Sequence, residues 1–395
     1  MQRNYGLLTP EKDESGKANP LAAAVPEKCP YCQSLKVVKS GVRKNKYAET
    51  QLYQCRDCLR RFTPLISKHR TFPLHVILTA LTLYNEFHTF EEVAEKAGRE
   101  FGISVSAKNV NNWVEDFKSY LPFLRMRRFA QGKFPPGETI ERVHMFHGQI
   151  FDFQYHRAKL QLILEEDFKN HQYTPLQEFL DLVSAECPHQ IFKESRLRAS
   201  EMKDIFNMDR TRVIPKPGNA ACRAAGFVLQ AVNNNAKRHE VLQRFMLAND
   251  SVTVAVEVPV LLDADDVRHF RDRLGFDVPV RITDEEIITG HIDILQVRNG
   301  CVHILDYKPS AQKARPVGQL TLYALALSRL TSLRLFHIKC AWFDEENYYE
   351  FFPLHVVYKK ARKGRPARVR ARAGPVVPAG PASPASAGAD HGAPA

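Results

Sequence analysis

The sequence contains no stretch approaching the ~18 unbroken apolar residues that a membrane-spanning helix needs. Its first residues, MQRNYGLLTPEKDESGK, lack the apolar centre of a secretory signal. Both absences argue against a membrane or exported protein and favour a cytoplasmic one, nucleoid-associated if the source is prokaryotic. Cysteine is too sparse for a disulfide scaffold, at eight in 395 residues. No internal repeat is visible, so a repeat architecture has no support. Acidic residues are outnumbered, 44 against 56 Lys and Arg, and the net charge of +12 suits a polyanionic partner. Much of that excess is local. Residues 359–372 hold eight Lys or Arg and no acid, and with the lone Asp390 this tail supplies +7, leaving +5 elsewhere.

What is present is enough to bury a core. Hydrophobic residues make up 44% of the chain and charged residues 25%, as in soluble multidomain proteins, and 395 residues suggest two or three domains. Composition and pattern divide the chain into six parts. Residues 1–27 read as a disordered leader, 28–66 as a zinc ribbon and 70–123 as an all-α helix-turn-helix. Residues 124–173 form a connector without an assignment, 174–357 alternate helix and strand patterns, and 358–395 are a basic, then Ala/Pro-rich disordered tail.

Four cysteines fall in two CxxC pairs, Cys29/Cys32 and Cys55/Cys58, separated by twenty-two residues. Tetrahedral Zn²⁺ requires four thiolates at about 2.3 Å, and two CxxC turns on facing hairpins supply them. The phrase CRDCLRRFT resembles the N-terminal zinc ribbon of insertion-sequence transposases. Arg56, Arg60, Arg61, Lys44 and Lys46 give the ribbon a phosphate-facing character; a staple for a small fold with no DNA role is the other reading.

Three helices are predicted next: one over 73–87, a second opening on the capping box Thr89–Glu92 and ending at Gly102, and a third from Ser106. Val110, Val114, Phe117 and Leu121 give the third helix its core face. Lys108, Asn109, Asn111 and Asn112 then lie near its exposed N-terminal half, where Asn pairs with adenine edges and Lys with guanine or phosphate. A helix-turn-helix after the ribbon also resembles those transposases, though three helices are a common packing unit in their own right.

The segment 287–330 carries the chemistry. Two strand-like runs flank Asn299-Gly300, a tight-hairpin signal, with Asp293 on the first and Asp306-Tyr307-Lys308 ending the second. A helix beginning near Arg315 places Gln319 and Tyr323 on one face. Two carboxylates on neighbouring strands hold a hard Mg²⁺ or Mn²⁺ ion and leave positions open for phosphate and water. A lysine two residues on projects from the same side of the strand and offsets transition-state charge. Asp116-x-Lys118, Asp167-x-Lys169 and Glu201-x-Lys203 repeat the acid–lysine spacing without this context.

This pattern resembles the PD-(D/E)xK nuclease superfamily, in its RecB-like branch, over about 185 residues. The resemblance implies a restriction-endonuclease-like α/β core with a mixed central sheet. It matches Asp293 to the GxxD aspartate, Asp306 and Lys308 to the DxK pair, and Gln319 with Tyr323 to the QxxxY helix. It also implies an upstream helix histidine at the metal, for which His239 is the best candidate and Glu240 a weaker one. Some members of the branch hold an iron–sulfur cluster through one cysteine before the core and three after it. Cys187 resembles the first, but only Cys340 follows the helix, so no cluster is expected. The implied activity is metal-dependent hydrolysis of DNA, leaving a 5′-phosphate and a 3′-hydroxyl. A transposase, or a DNA-binding regulator with an inactive nuclease fold, are the rival readings. Two weaker signals remain. His144, His147 and His156 near Asp152 make a second metal site conceivable, although scattered histidines on aromatic strand-like segments are usually structural, and Lys363-Gly-Arg365-Pro366 resembles an AT-hook, with a generic basic arm as the alternative.

Overall fold

The computed structural model describes residues 26, 28–44, 46–47, 49–63, 71–202, 205–206, 212–232 and 234–358. The expected leader apart from Pro26, and the basic arm with Arg365, lie outside the described residues.

At the front, β1 (Val37–Lys44) and β2 (Glu49–Cys55) form an antiparallel hairpin to which β3 (Arg61–Phe62) adds a short third strand. Its buried centre is Cys29, Tyr53, Cys55 and Phe62. Three helices follow: α1 (Leu74–Asn85), α2 (Phe90–Phe101) and α3 (Ala107–Phe117). Both reciprocal hydrogen bonds of the Thr89–Glu92 capping box form, and Gly102 ends α2 at φ +64°, a left-handed conformation that glycine adopts without penalty. Val110, Val114, Phe117 and Leu121 are all buried, so the third helix packs as its periodicity predicts.

Beyond α4 (Leu124–Gln131), the segment 124–173 builds a hairpin of β4 (Ile140–Phe146) and β5 (Ile150–His156), then α5 (Arg157–Glu166). Next come α6 (Thr174–Glu186), α7 (His189–Glu194), the two-residue strands β6 (Leu197–Arg198) and β7 (Ile214–Pro215), α8 (Ala220–Val228) and α9 (Arg238–Asn249). The central run is β8 (Thr253–Leu262), α10 (Ala264–Arg268), β9 (Ile288–Arg298), β10 (Cys301–Tyr307), α11 (Val317–Thr331) and β11 (Ile338–Phe343), closed by β12 (Tyr348–Phe351) and α12 (Pro353–Val357).

One mixed sheet collects the strands in the order β4-β5-β8-β9-β10-β11-β12-β7, with β6 alongside β9. Neighbours are antiparallel from β4 to β10, and β10 and β11 run parallel because α11 carries the chain across between them. A mixed sheet flanked by helices is consistent with a restriction-endonuclease-like α/β core. Helices α1–α3, α8 and α9 share a core with Val256, Ile294 and Leu305 of the sheet, whereas α5, α6 and α11 pack on Ala255, Leu295 and Ile304. The helical bundle and the sheet are therefore continuous in the interior.

Candidate active site

The hairpin between β9 and β10 sets the geometry. Asn299 and Gly300 take φ values of +52° and +67°, the pair of left-handed residues a two-residue turn demands. With that turn fixed, Leu305 pairs with Ile294, which leaves Asp306 as the neighbour of Asp293. On the other side β8 pairs Val256 with Ile294 and Val258 with Ile292, which sets Glu257 opposite Asp293. Three carboxylates thus lie in one row across β8, β9 and β10.

Burial and mutual repulsion split their proton affinities. Asp306 is 1% exposed, and burial together with the Asp293 charge pushes its carboxyl well above the usual range. Glu257 rises to about 8 for the same two reasons. Asp293 is only partly buried, and although desolvation works the other way, the hydrogen bond and charge of His239, the bond to Asp306 and the Lys308 cation hold it below the ordinary carboxylate range. Lys308 Nζ lies 2.9 Å from Asp306 Oδ2, and the two aspartates outweigh burial to raise its affinity for a proton. Among the described residues, neither oxygen of Asp306 has a well-aligned hydrogen-bond donor. A buried carboxylate whose oxygens lack aligned donors, beside two further acids and an imidazole, fits a hard divalent cation. His239 Nδ1, on the first turn of α9, is 3.4 Å from Asp293 Oδ2, and Gln243 one turn on donates to Glu257 Oε1 at 2.6 Å.

From the opposite helical layer, α11 brings Gln319 and Tyr323, whose side chains hydrogen-bond at 3.1 Å. Tyr323 lies directly on β9: a Cβ at position 290 would sit 2.3 Å from its ring, so only glycine fits there. The glycine of the GxxD spacing is thus a seat for the tyrosine of the QxxxY spacing. Asp293, Lys308, Gln319, Tyr323, His239 and Glu257 line one cleft of about 350 Å³.

Glu257 was not among the residues singled out from the sequence. Its signal was a lone acid in the apolar run VAVEVPV, and its φ of +51° marks it as the strained residue of that strand. Also missed was the approach of His147 and His291 to the cleft. The three histidines grouped in sequence disperse: exposed His144 pairs with Asp152, buried His156 caps α5, and His147 reaches His291, His189 and Cys187.

The ribbon cysteines converge. Sulfurs of Cys29 and Cys58 are 3.6 Å apart, those of Cys32 and Cys55 3.5 Å, and all four lie within 4.8 Å of one another. A tetrahedral ion with bonds of about 2.3 Å needs sulfur separations near ~3.8 Å, so the cluster is compatible with structural zinc. Backbone N–H groups of Cys58 and Asp57 hold the Cys55 thiol down at about 6. Arg60 is exposed over the Tyr31 ring at 5.0 Å, and Arg61 is exposed on β3. On α3, Lys108 and Asn112 are exposed, while Asn109 is engaged in a second capping box, its Oδ1 accepting from the backbone N–H of Ser106 at 3.1 Å.

Compared with known proteins, residues 176–364 match the family model of the PD-(D/E)XK nuclease superfamily. No curated protein and no solved structure matches the chain. The matched segment holds the whole row of carboxylates, Lys308, His239 and the Gln319–Tyr323 pair. Members of that superfamily are in general metal-dependent hydrolytic nucleases.

Proposed function

We propose that the protein is a metal-dependent DNA nuclease of RecB-like type that hydrolyses phosphodiester bonds. The ribbon and helix-turn-helix deliver it to duplex DNA. The observation that carries the reading is the row Glu257–Asp293–Asp306 with Lys308 at its end. Asp293 and Asp306, with His239 and Glu257 beside them, would hold Mg²⁺ or Mn²⁺. When bound, such an ion supplies Lewis acidity at the scissile phosphate and an activated water. The chain's own residues do the rest. Lys308, kept as an ammonium by its neighbours, donates N–H groups toward the water and the phosphate oxygens and offsets developing negative charge. Gln319, tethered to Tyr323, presents a fixed amide to the substrate backbone. Products carry a 5′-phosphate and a 3′-hydroxyl.

Arg60, Arg61, Lys108 and Asn112 supply exposed donors for phosphate and base edges, and Asn109 retains its amide N–H₂ for the same use while its oxygen caps the helix. Arg365 belongs to the arm that adds salt-dependent affinity.

Purified protein with Mg²⁺ or Mn²⁺ is expected to nick or degrade plasmid and linear DNA. Asp306→Ala and Lys308→Ala are each expected to lower the rate at least about a hundredfold while gel-shift retention stays at the parental level. Parental cutting by both variants would remove the site assignment.

A further inference from the structure

We propose that His147, Cys187 and His189 form a second metal site, suited to Zn²⁺ and oriented by His291. Three segments remote in sequence meet there: the β4–β5 turn, the α6–α7 junction and β9. His147 stands in the turn between β4 and β5, Cys187 caps the end of α6, His189 opens α7 and His291 lies on β9. One donor atom each from His147, Cys187 and His189 lies within 4.8 Å of the other two. His147 Nε2 is 2.9 Å from His189 Nδ1 and 4.0 Å from Cys187 Sγ. A tetrahedral ion with bonds of about 2.0–2.1 Å to nitrogen and 2.3 Å to sulfur separates such donors by roughly 3.3–3.6 Å. The observed spacings bracket those values, so small side-chain rotations complete the geometry.

The donor set decides the ion. Two imidazoles and a thiol suit zinc and discriminate against Mg²⁺ and Mn²⁺, which prefer oxygen. His147, 1% exposed, has its other nitrogen, Nδ1, at 2.8 Å from His291 Nε2. With Nδ1–H donating to His291, the Nε2 lone pair of His147 faces Cys187 and His189, the outer arrangement that orients a metal-bound histidine. The turn carrying His147 is held firmly. Its carbonyl accepts from Arg198 Nη2 at 3.2 Å, its N–H donates to Gln149 O at 2.9 Å, and Gly148 at φ +82° leaves no room for a Cβ beside that guanidinium.

Three protein ligands leave a coordination position for water. The ion would tie the β4–β5 hairpin and the α6–α7 junction together at the rim of the cleft, and it stands whether or not the carboxylate row cuts DNA. His291 lies two residues before Asp293 on β9, about 6.6 Å along the strand, so the two sites share a wall.

The test is a zinc count on the full chain, saturated with Zn²⁺ and then gel-filtered. About two ions per chain are expected, one in the ribbon and one here. Cys187→Ser and His189→Ala should each remove about one of them, with thermal melts in chelator matching the parent. Zinc content unchanged in both variants would overturn the site, since the bare imidazole chain would then be a hydrogen-bonded network only. A second measurement leaves the proposed ligands intact. With all four ribbon cysteines changed to serine and Co²⁺ as the probe, a thiolate-to-cobalt charge-transfer band is expected from Cys187. Absence of that band overturns the proposal as well.

Discussion

Single residues divide into those whose placement can be read from their neighbours in sequence and those placed by partners far along the chain. Asp293, Asp306 and Lys308 belong to the first kind, because a two-residue turn at Asn299-Gly300 fixes which side chains on its arms stand side by side. Glu257 belongs to the second, since its place depends on the register of β8 against β9 and on a local φ of +51°. Lys159 is a further case. In RAKLQLILEE it looks like an ordinary surface lysine, yet it is fully buried, donating to the carbonyls of Leu247 and Thr253 beneath the Phe123 ring. Burial pushes its ammonium down from 10.5 to about 7. Between those two values the unfolded chain holds a proton that the folded chain does not, so stability rises with pH across that window, and below it the burial penalty is felt in full. The contribution is on the order of 5 kcal/mol from one side to the other. Chemical denaturation at pH 7 and pH 10 is expected to show this rise in the parent and a flatter profile in Lys159→Met. An equal slope in both would mean that another group carries the dependence.

Among the elements, those with local start and stop signals matched their sequence reading, and those built by distant pairing did not declare themselves. The Thr89–Glu92 box, the Gly102 stop and the Asn299-Gly300 hairpin are short-range chemistry. The β4–β5 hairpin mixes aromatic and histidine residues, and its partner strand β8 begins about a hundred residues later, so nothing local advertised its place in the sheet. The Ser106 cap bears on the proposed docking, because the side chain it engages is Asn109. Thr89→Ala and Ser106→Ala are each expected to cost ~1 kcal/mol, read from denaturation midpoints. Ser106→Ala should also weaken duplex retention several-fold, since it loosens the turn of α3 that presents Lys108 and Asn112, whereas Thr89→Ala leaves retention unchanged. Equal retention in the two variants would take the first turn of α3 out of the DNA interface.

At the level of the whole molecule, the modular reading of the sequence meets a more continuous interior. Asn85 of α1 donates to Asn249 of α9 at 2.8 Å in a buried position, and Glu86 accepts from Arg244 of the same helix at 3.1 and 3.3 Å. Helix α9 also carries His239, so the helix bundle proposed to dock on DNA and the cleft proposed to cut it share a rigid element. The ribbon is different. Its interior is Cys29, Tyr53, Cys55 and Phe62, too few apolar groups to offset the entropy of ordering the segment, so its fold depends on a cross-link through the cysteines. Cys55→Ser, or zinc extraction by a strong chelator followed by re-addition of Mg²⁺, should therefore unfold residues 28–63 while the shared core keeps its melting temperature within about 2 °C. In that state gel-shift binding to long duplex should fall at least about tenfold, with the loss greatest at low salt, where phosphate contacts contribute most. Cutting of short DNA at saturating concentration should persist, because the carboxylate row and its helices do not depend on the ribbon's interior. If long-duplex binding survives the loss of the ribbon, the ribbon is a structural staple and DNA delivery rests on α3 alone.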